Sequence, residues 1–245
     1  MLAIIGGSGL SRLPALELTR HDEVATPFGE PSSRLSYGQL HGHPVIFLPR
    51  HGCGHTIPPH RINYRANIWA LQHAGATTVL SIATVGSICA DLVPGSLVVP
   101  HQIIDYTWSR AGTYFDDSVE PVRHIDFTHP YDHDLRQHIL QAAAAAGEQV
   151  FDGGVYAATQ GPRLETAAEV NRLERDGADI IGMTGMPEAA LARELGLAYA
   201  ALNVVANQAA GRGDSAGGIA FKSIDDVLAE AMLRVHVILE YICRS

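Results

Sequence analysis

Short apolar runs that stop at glycine or proline alternate with segments of helical periodicity along most of this 245-residue chain. That alternation constrains the fold more than any other feature, because strands separated by helices long enough to cross a sheet pack side by side beneath those helices. Leu2-Ala3-Ile4-Ile5 runs into Gly6-Gly7, and Val45-Ile46-Phe47-Leu48 is closed by Pro49, so each reads as a buried strand feeding a turn. Ile62, Ala66, Trp69 and Ala70 have helical spacing around 63–73, Gly75 stops that helix, and 77–83 returns as a β-branched strand ending at Gly86. The pattern predicts further helices over 132–146, 166–175 and 187–195, with strands over 155–159, 180–183 and 199–206. Toward the end, Ile224, Val227, Leu228, Ala231, Met232, Val235, Ile238, Leu239 and Ile242 form one stripe of helical period, the mark of a docked terminal helix. An α/β sandwich built as one domain follows.

Charge and cysteine usage narrow the partners. With 17 Lys+Arg against 26 Asp+Glu the net charge is −9 and the basic residues are scattered, so a nucleic-acid or acidic-membrane surface is disfavoured. Any anion has to be caught locally. No apolar run approaches the ~18 residues of a membrane span, and the first residues lack the charged, apolar and cleavage regions of a signal peptide. Cys53, Cys89 and Cys243 are widely spaced with no Cys-x-x-Cys, which fits reduced thiols in a cytoplasm. Residues 105–130 are polar, aromatic and irregular, and a loop of that length is usually functional or an oligomer contact.

Three distant segments look built to hold one small anion: Gly6-Gly7-Ser8-Gly9, Arg50-His51-Gly52 and Gly182-Met183-Thr184-Gly185. They supply a hydroxyl on a glycine turn, a guanidinium beside an imidazole, and a second hydroxyl on a glycine turn, a set that suits a phosphate oxyanion. The first lacks the last glycine of a G-x-S-x-G elbow or a G-x-G-x-x-G dinucleotide loop, and no Gly-Lys-Ser/Thr follows as in a P-loop. His51, Cys53 and His55 raise a metal site as an alternative, but Gly52 and Gly54 disfavour the helix on which His-x-x-x-His spacing converges. The stronger reading is a flexible turn from which Arg50 forks onto an oxyanion while His51 adds a hydrogen bond. The glycines around Met183-Thr184 allow close backbone approach to a ligand, and Pro187 and Glu188 are favoured in the first turn of the helix that follows. Glu165 and Asn207 each stand where a strand has just ended, the edge at which ligands of such sheets collect, although each also has a local reading as a helix-start acid and a turn asparagine.

In this order, Ile4-Ile-Gly-Gly-Ser-Gly-Leu10, Arg50-His-Gly, Asn63-Tyr-Arg-Ala-Asn-Ile-Trp-Ala-Leu71 and Gly182-Met-Thr-Gly-Met-Pro-Glu188 resemble the trimeric purine nucleoside phosphorylase family, specifically its 5′-methylthioadenosine and 5′-methylthioinosine phosphorylase branch. The resemblance runs essentially the whole chain. It implies one domain over 1–245, a three-layer α/β/α sandwich around a mixed, largely parallel central sheet of phosphorylase/hydrolase type. It further implies phosphate held by Ser8, Arg50, His51, the Ala83-Thr84 turn and Thr184, Met183 against the ribose, Leu164 over the purine, and Glu165, Asn207 and Ala209 around the base. Ile224 and Leu228 would line the sugar's 5′ end, and His124 would reach a neighbouring subunit's 5′ pocket in a homotrimer. No metal or cofactor is implied; inorganic phosphate is a co-substrate, and Asn207 and His51 are the catalytic candidates. One departure stands out: relatives often carry a hydroxyl or amide where Ala83 stands and a small residue where Thr84 stands.

The same resemblance separates candidate substrates. A Glu165 carboxylate can accept a hydrogen bond from N1–H of a 6-oxopurine but faces a lone pair in adenine, and Asn207 stands where relatives specialised for 6-aminopurines tend to have aspartate. Ile224 stands where phosphorylases acting on 5′-hydroxyl nucleosides tend to carry histidine. Burying a 5′-hydroxyl there without a partner would cost about 1 to 3 kcal/mol. The expected reaction is phosphorolysis of 5′-methylthioinosine, with 5′-methylthioadenosine next and inosine or guanosine behind. A hydrolase and a non-catalytic nucleoside-binding protein are the competing classes.

Overall fold

In a computed structural model, which describes residues 1–13, 15–116 and 122–244, the alternation resolves into eleven strands of one sheet and five α-helices. The strands are β1 (Leu2–Gly6), β2 (Leu16–Asp22), β3 (Leu35–Leu40), β4 (His43–Pro49), β5 (Thr78–Ser87), β6 (Leu97–Val99), β7 (Gln102–Asp105), β8 (Val150–Asp152), β9 (Val155–Ala158), β10 (Ile180–Gly182) and β11 (Ala198–Gln208). The helices are α1 (Tyr64–His73), α2 (His133–Ala145), α3 (Ala167–Arg175), α4 (Gly185–Glu194) and α5 (Phe221–Arg244). Each of the predicted strands and helices is present, and β2, β3, β6, β7 and β8 are additional.

The main strand order is β2-β3-β4-β1-β5-β10-β9-β7, with β11 on β5 and β6, and β8 on β6. β1 runs parallel to β4 and β5, as do β5 with β11, β10 with β9, β9 with β7 and β6 with β8; the other pairs are antiparallel. The sheet is therefore mixed and mostly parallel.

Side chains alternate across a strand with period two, and the two largest core clusters follow that rule. Ile4, Phe47, Leu80, Ile82, Leu202 and Val204 face α2 and α5, while Ala3, Ile5, Ile46, Leu48, Val79 and Ala201 face α1 and α4. Each such Leu or Ile taken out of water contributes about 1.5 to 3 kcal/mol, so a one-residue slip of any central strand would undo both faces together. Helix starts are set by short polar caps: Asn63 accepts from Ala66 N, Asp132 from Leu135 N, and Thr166 with Glu169 forms a reciprocal capping box. In α4 the backbone at Met186 is extended (φ −120°, ψ 139°), so the regular turns begin at Pro187, as its sequence predicts. Among the described residues between β7 and α2 there is no helix or strand; residues 117–121 of the expected long loop lie outside the described residues.

Candidate active site

Parallel pairing of β4, β1 and β5 brings three chain segments to one sheet edge. Arg50 N donates to Gly6 O at 2.8 Å and Gly7 N to Ile82 O at 2.9 Å, so the Gly6-Gly7 turn is laced between the ends of β4 and β5. A Cβ at Gly7 would lie 2.8 Å from the Ile82 carbonyl oxygen and 2.9 Å from Arg50 Nη1, so only glycine fits. Ser8 follows, half-buried, with its Oγ 3.5 Å from His55 Nε2.

Arg50 is not a surface residue with a free fork. It is fully buried, and its Nε and Nη2 donate to the Glu188 carboxylate at 2.6 and 2.8 Å. Nη2 also donates to Ser81 Oγ at 2.6 Å and Nη1 to Ile82 O at 3.2 Å. A guanidinium has five N–H groups, so one on Nη1, beside the Gly7 backbone, is not used by these four bonds. Burial works against the Arg50 charge, but the Glu188 carboxylate overrides it and raises the pKa above the ordinary arginine value. Tyr199 Oη donates to the same carboxylate at 2.9 Å. Since Glu188 lies in the first turn of α4, this pair ties Thr184, at the head of that helix, to the end of β4. The sequence offered Glu188 a local role at a helix start, and that role hid a partner 138 positions away.

His51 is nearly buried and its Nδ1 lies 2.8 Å from the Ile57 carbonyl oxygen. Burial, with the nearby Arg50 charge, lowers its pKa to about 4, so near neutral pH the ring is uncharged. A carbonyl only accepts; Nδ1 therefore carries the proton and Nε2 the lone pair. The ring stacks on His55, centroids 4.2 Å apart, and burial lowers the His55 pKa too. Among the described residues no three His, Cys, Asp or Glu side chains converge as a metal site.

Ala83 is buried and Thr84 half-buried on β5. Directly across the ladder from Ala83 stands Asn203, fully buried with neither amide atom hydrogen-bonded. A polar side chain thus occupies the position adjoining the departure noted at Ala83.

Thr184 is buried at the head of α4 and makes no side-chain cap bond. Its backbone N and that of Gly185 donate to Tyr156 Oη at 3.3 Å each. A Cβ at Gly182 or Gly185 would collide with the Tyr156 ring. The close approach these glycines permit is thus to a buried phenol, not the ligand expected from the sequence, and the phenol oxygen accepts from the two backbone N–H groups ahead of the regular turns. Met183, half-buried, packs on Gly161.

Beyond β9, Thr159 Oγ1 donates to Glu165 Oε1 at 2.6 Å, holding the carboxylate with its second oxygen unconstrained by that bond. Leu164 and Glu165 are both half-buried and lead straight into the Thr166 capping box. Asn207 pairs with Gly86 at an irregularity in β11, half-buried, and its Nδ2 donates to Gln208 O at 2.7 Å, which leaves one amide N–H. Ala209 is buried against Ile181, Ala157 and Val170 and acts as packing beneath this edge. Gly211 lies against Ala167, so the end of β11 meets the start of α3 and brings the Asn207 and Glu165 segments together.

On the opposite face, Leu228 and the partly buried Ile224 join Leu10 and Met232 in one apolar cluster, and Gly9 rests on Met232. The first turns of α5 therefore border the Ser8 turn with carbon. His124 is exposed on the long loop, and no described contact joins it to the other site residues. An open groove of about 750 Å³ between α5, α2 and the 91–97 turn lies apart from all of these residues; its Arg234 is spent on Glu148 and the Gly95 and Gln149 carbonyls.

The fold and this edge define an α/β protein with a sealed ion pair beneath a glycine turn, a carboxylate beyond the end of β9 and an amide at the end of β11. The phosphorylase superfamily model matches residues 1–244, and the chain belongs to that family. It is 54% identical over 214 residues to a protein from Xanthomonas campestris pv. campestris named "Probable S-methyl-5'-thioinosine phosphorylase", covering 87% of this chain and 86% of that one. A 6-oxopurine nucleoside phosphorylase from Pyrococcus furiosus is 45% identical over 215 residues, 86% of this chain and 80% of its own. Among solved structures, methylthioadenosine phosphorylase from Schistosoma mansoni in complex with adenine superposes with a TM-score of 0.93 at 32% identity, covering 99% of this chain and 90% of its own.

Proposed function

We propose that this chain cleaves 5′-methylthio purine nucleosides with phosphate, preferring 5′-methylthioinosine, to release the free purine and 5-methylthioribose 1-phosphate. It is a pentosyltransferase of the purine nucleoside phosphorylase type. The observation that supports the substrate reading is a Glu165 carboxylate, oriented by Thr159 beyond the end of β9, together with an Asn207 amide at the end of β11, two segments that the Gly211–Ala167 contact joins. An acceptor and a donor there complement N1–H and O6 or N7 of a 6-oxopurine.

In the reaction, a phosphate oxygen bonds to C1′ as the C1′–N9 bond breaks and its electron pair leaves with the base. Ser8, the remaining Nη1–H of Arg50, the Ala83-Thr84 backbone and Thr184 position the phosphate. His51, uncharged with Nε2 bare, accepts from a protonated phosphate oxygen and so supplies orientation without charge. Positioning of this kind removes entropy from the barrier, and the Asn207 amide stabilises negative charge gathering on the departing purine. Met183 lies at the ribose and Leu164 over the base. The apolar Ile224 and Leu228 accept a methylthio group, which gains about 0.8 kcal/mol per buried carbon where a hydroxyl would lose its partner.

No helix among the described residues is long and apolar enough to cross a membrane, and we place the enzyme in the cytoplasm as a homotrimer acting on small molecules, with neither nucleic acid nor membrane as partner. Trp108, Val122 and Ile125, exposed apolar residues of the long loop, support a subunit contact there, with His124 completing a neighbour's 5′ pocket. Light scattering should give three times the chain mass.

The specificity test ranks three nucleosides by kcat/KM at fixed phosphate: first 5′-methylthioinosine, then 5′-methylthioadenosine, then inosine. The order expected is as written. Asn207→Asp should move the preference toward the 6-amino base, and an unchanged ratio would show that the base-edge assignment is wrong.

A further inference from the structure

We propose that Arg110 is a positioning residue that fixes the spacing between the base-edge half of the site and the segment carrying Met183 and Thr184; this rests on the site reading above. The β9–β10 ladder ends at Ala158 and Gly182, with one further backbone bond from Thr159 N to Gly182 O at 2.8 Å. Beyond that point the two chains part, one toward Leu164 and Glu165, the other through Met183 and Thr184 to α4.

Arg110 fills the gap between them. Its Nη2 donates to the carbonyl oxygens of Thr159 and Gln160 at 3.2 and 2.8 Å, and its Nε to Gln160 Oε1 at 3.2 Å. Its Nη1 donates to the Met183 and Met186 carbonyl oxygens at 2.8 and 2.6 Å, with Tyr64 Oη at 3.2 Å. The Tyr64 ring lies 5.4 Å from the guanidinium carbon. Every nitrogen of the fork is thus spent on neutral acceptors, and the two Nη1 acceptors on the chain bracket Thr184. Among the described residues no carboxylate forms an ion pair with it.

A planar fork with five directed donors can bind two diverging backbones at once; a lysine ammonium, a point charge with three donors, cannot reproduce that geometry. Trp108 N also donates to Gln160 Oε1, at 3.1 Å, so the long loop is fastened to the base-edge segment by the same stretch of chain. The head of α4 keeps an independent anchor in the Glu188–Arg50 pair. Loss of the Arg110 fork should therefore loosen the base-edge segment far more than the phosphate turn.

The test is steady-state kinetics of Arg110→Lys and Arg110→Met, varying the nucleoside (5′-methylthioinosine) and phosphate in separate series, alongside thermal unfolding. The proposal expects kcat/KM for the nucleoside to fall about 10- to 100-fold in both variants, since misplacement by about 1 Å costs on that order, with less than about a threefold change in the Michaelis constant for phosphate. Nucleoside and phosphate parameters that both stay near the parent values, or that move together in step with lost stability, overturn it. Failure of both variants to fold would make Arg110 a folding residue and overturn it equally. Phosphate-dependent base release by the unaltered protein is measured first: its absence would fault the site reading, whereas its presence with unchanged Arg110 variants would fault this proposal alone.

Discussion

Two arginines hold different parts of the candidate site, and the chain uses them in opposite ways. Arg50 is wholly buried and faces a carboxylate, so the pair is neutral as a unit and forms the floor on which the Gly6-Gly7 turn lies. Arg110 is half-buried and faces carbonyl and hydroxyl oxygens, so it acts as a clasp between segments that no ladder holds. A buried ion pair is weak evidence for added stability but strong evidence for a fixed arrangement, because removing one partner leaves the other charge stranded. Carbonyl ligation of an arginine has another consequence: the geometry, not the charge, is what a substitution destroys.

The largest effect should come from breaking the floor. Glu188→Ala strands the Arg50 guanidinium and should cost about 3 to 5 kcal/mol of folding stability in a denaturant titration. A loss under about 1 kcal/mol would mean that the pair is solvated and that α4 is not moored by it. Next, Asn207→Ala leaves floor and clasp intact and should lower kcat by roughly 100-fold or more, the 2.7 to 4 kcal/mol typical of a lost charge-stabilising donor. Near-normal turnover would move the charge on the leaving base to some other group.

Acid probes His51, the ring beside that floor, more gently. The folded His51 takes up a proton only near pH 4, whereas the unfolded chain does so near 6.5. Its contribution is present above pH 6.5 and is lost progressively as pH falls toward 4, by up to roughly 3 kcal/mol. An NMR titration of the ring should show a midpoint near 4; a midpoint near the free value would contradict a buried neutral ring. Smallest, Ile224→His should raise inosine relative to 5′-methylthioinosine by about 1 to 3 kcal/mol of discrimination, on the scale of a buried hydroxyl regaining a partner. No change in that ratio would remove Ile224 from the 5′ pocket.

The two regions also differ in how far the sequence reveals them. Arg50 and His51 follow an apolar run closed by Pro49, and Ser8 follows another, so their place at a strand end was legible from local pattern. Arg110 was not, because the stretch around it has no period and four of its six acceptors are backbone carbonyls, which leave no mark on a sequence. The same reason hid Tyr156: the glycines at 182 and 185 signal a close approach without saying what approaches. Among the missed strands, β2 is mostly exposed and carries Glu17, Arg20, His21 and Asp22, β3 is interrupted by Gly38, and β6 and β8 are three residues long. Edge and short strands lack the apolar alternation that makes central ones readable. Asn203 is the reverse case, an amide inside a run that reads as wholly apolar, visible only once the ladder sets it beside Ala83.

Phosphate dependence is the sharpest test of the proposed anion site. With 5′-methylthioinosine as substrate, hypoxanthine release should require inorganic phosphate and yield one equivalent of 5-methylthioribose 1-phosphate per base. Equal release in phosphate-free buffer, with free 5-methylthioribose as the product, would make the protein a hydrolase and leave the Ser8, Arg50 and Thr184 cluster without the anion assigned to it.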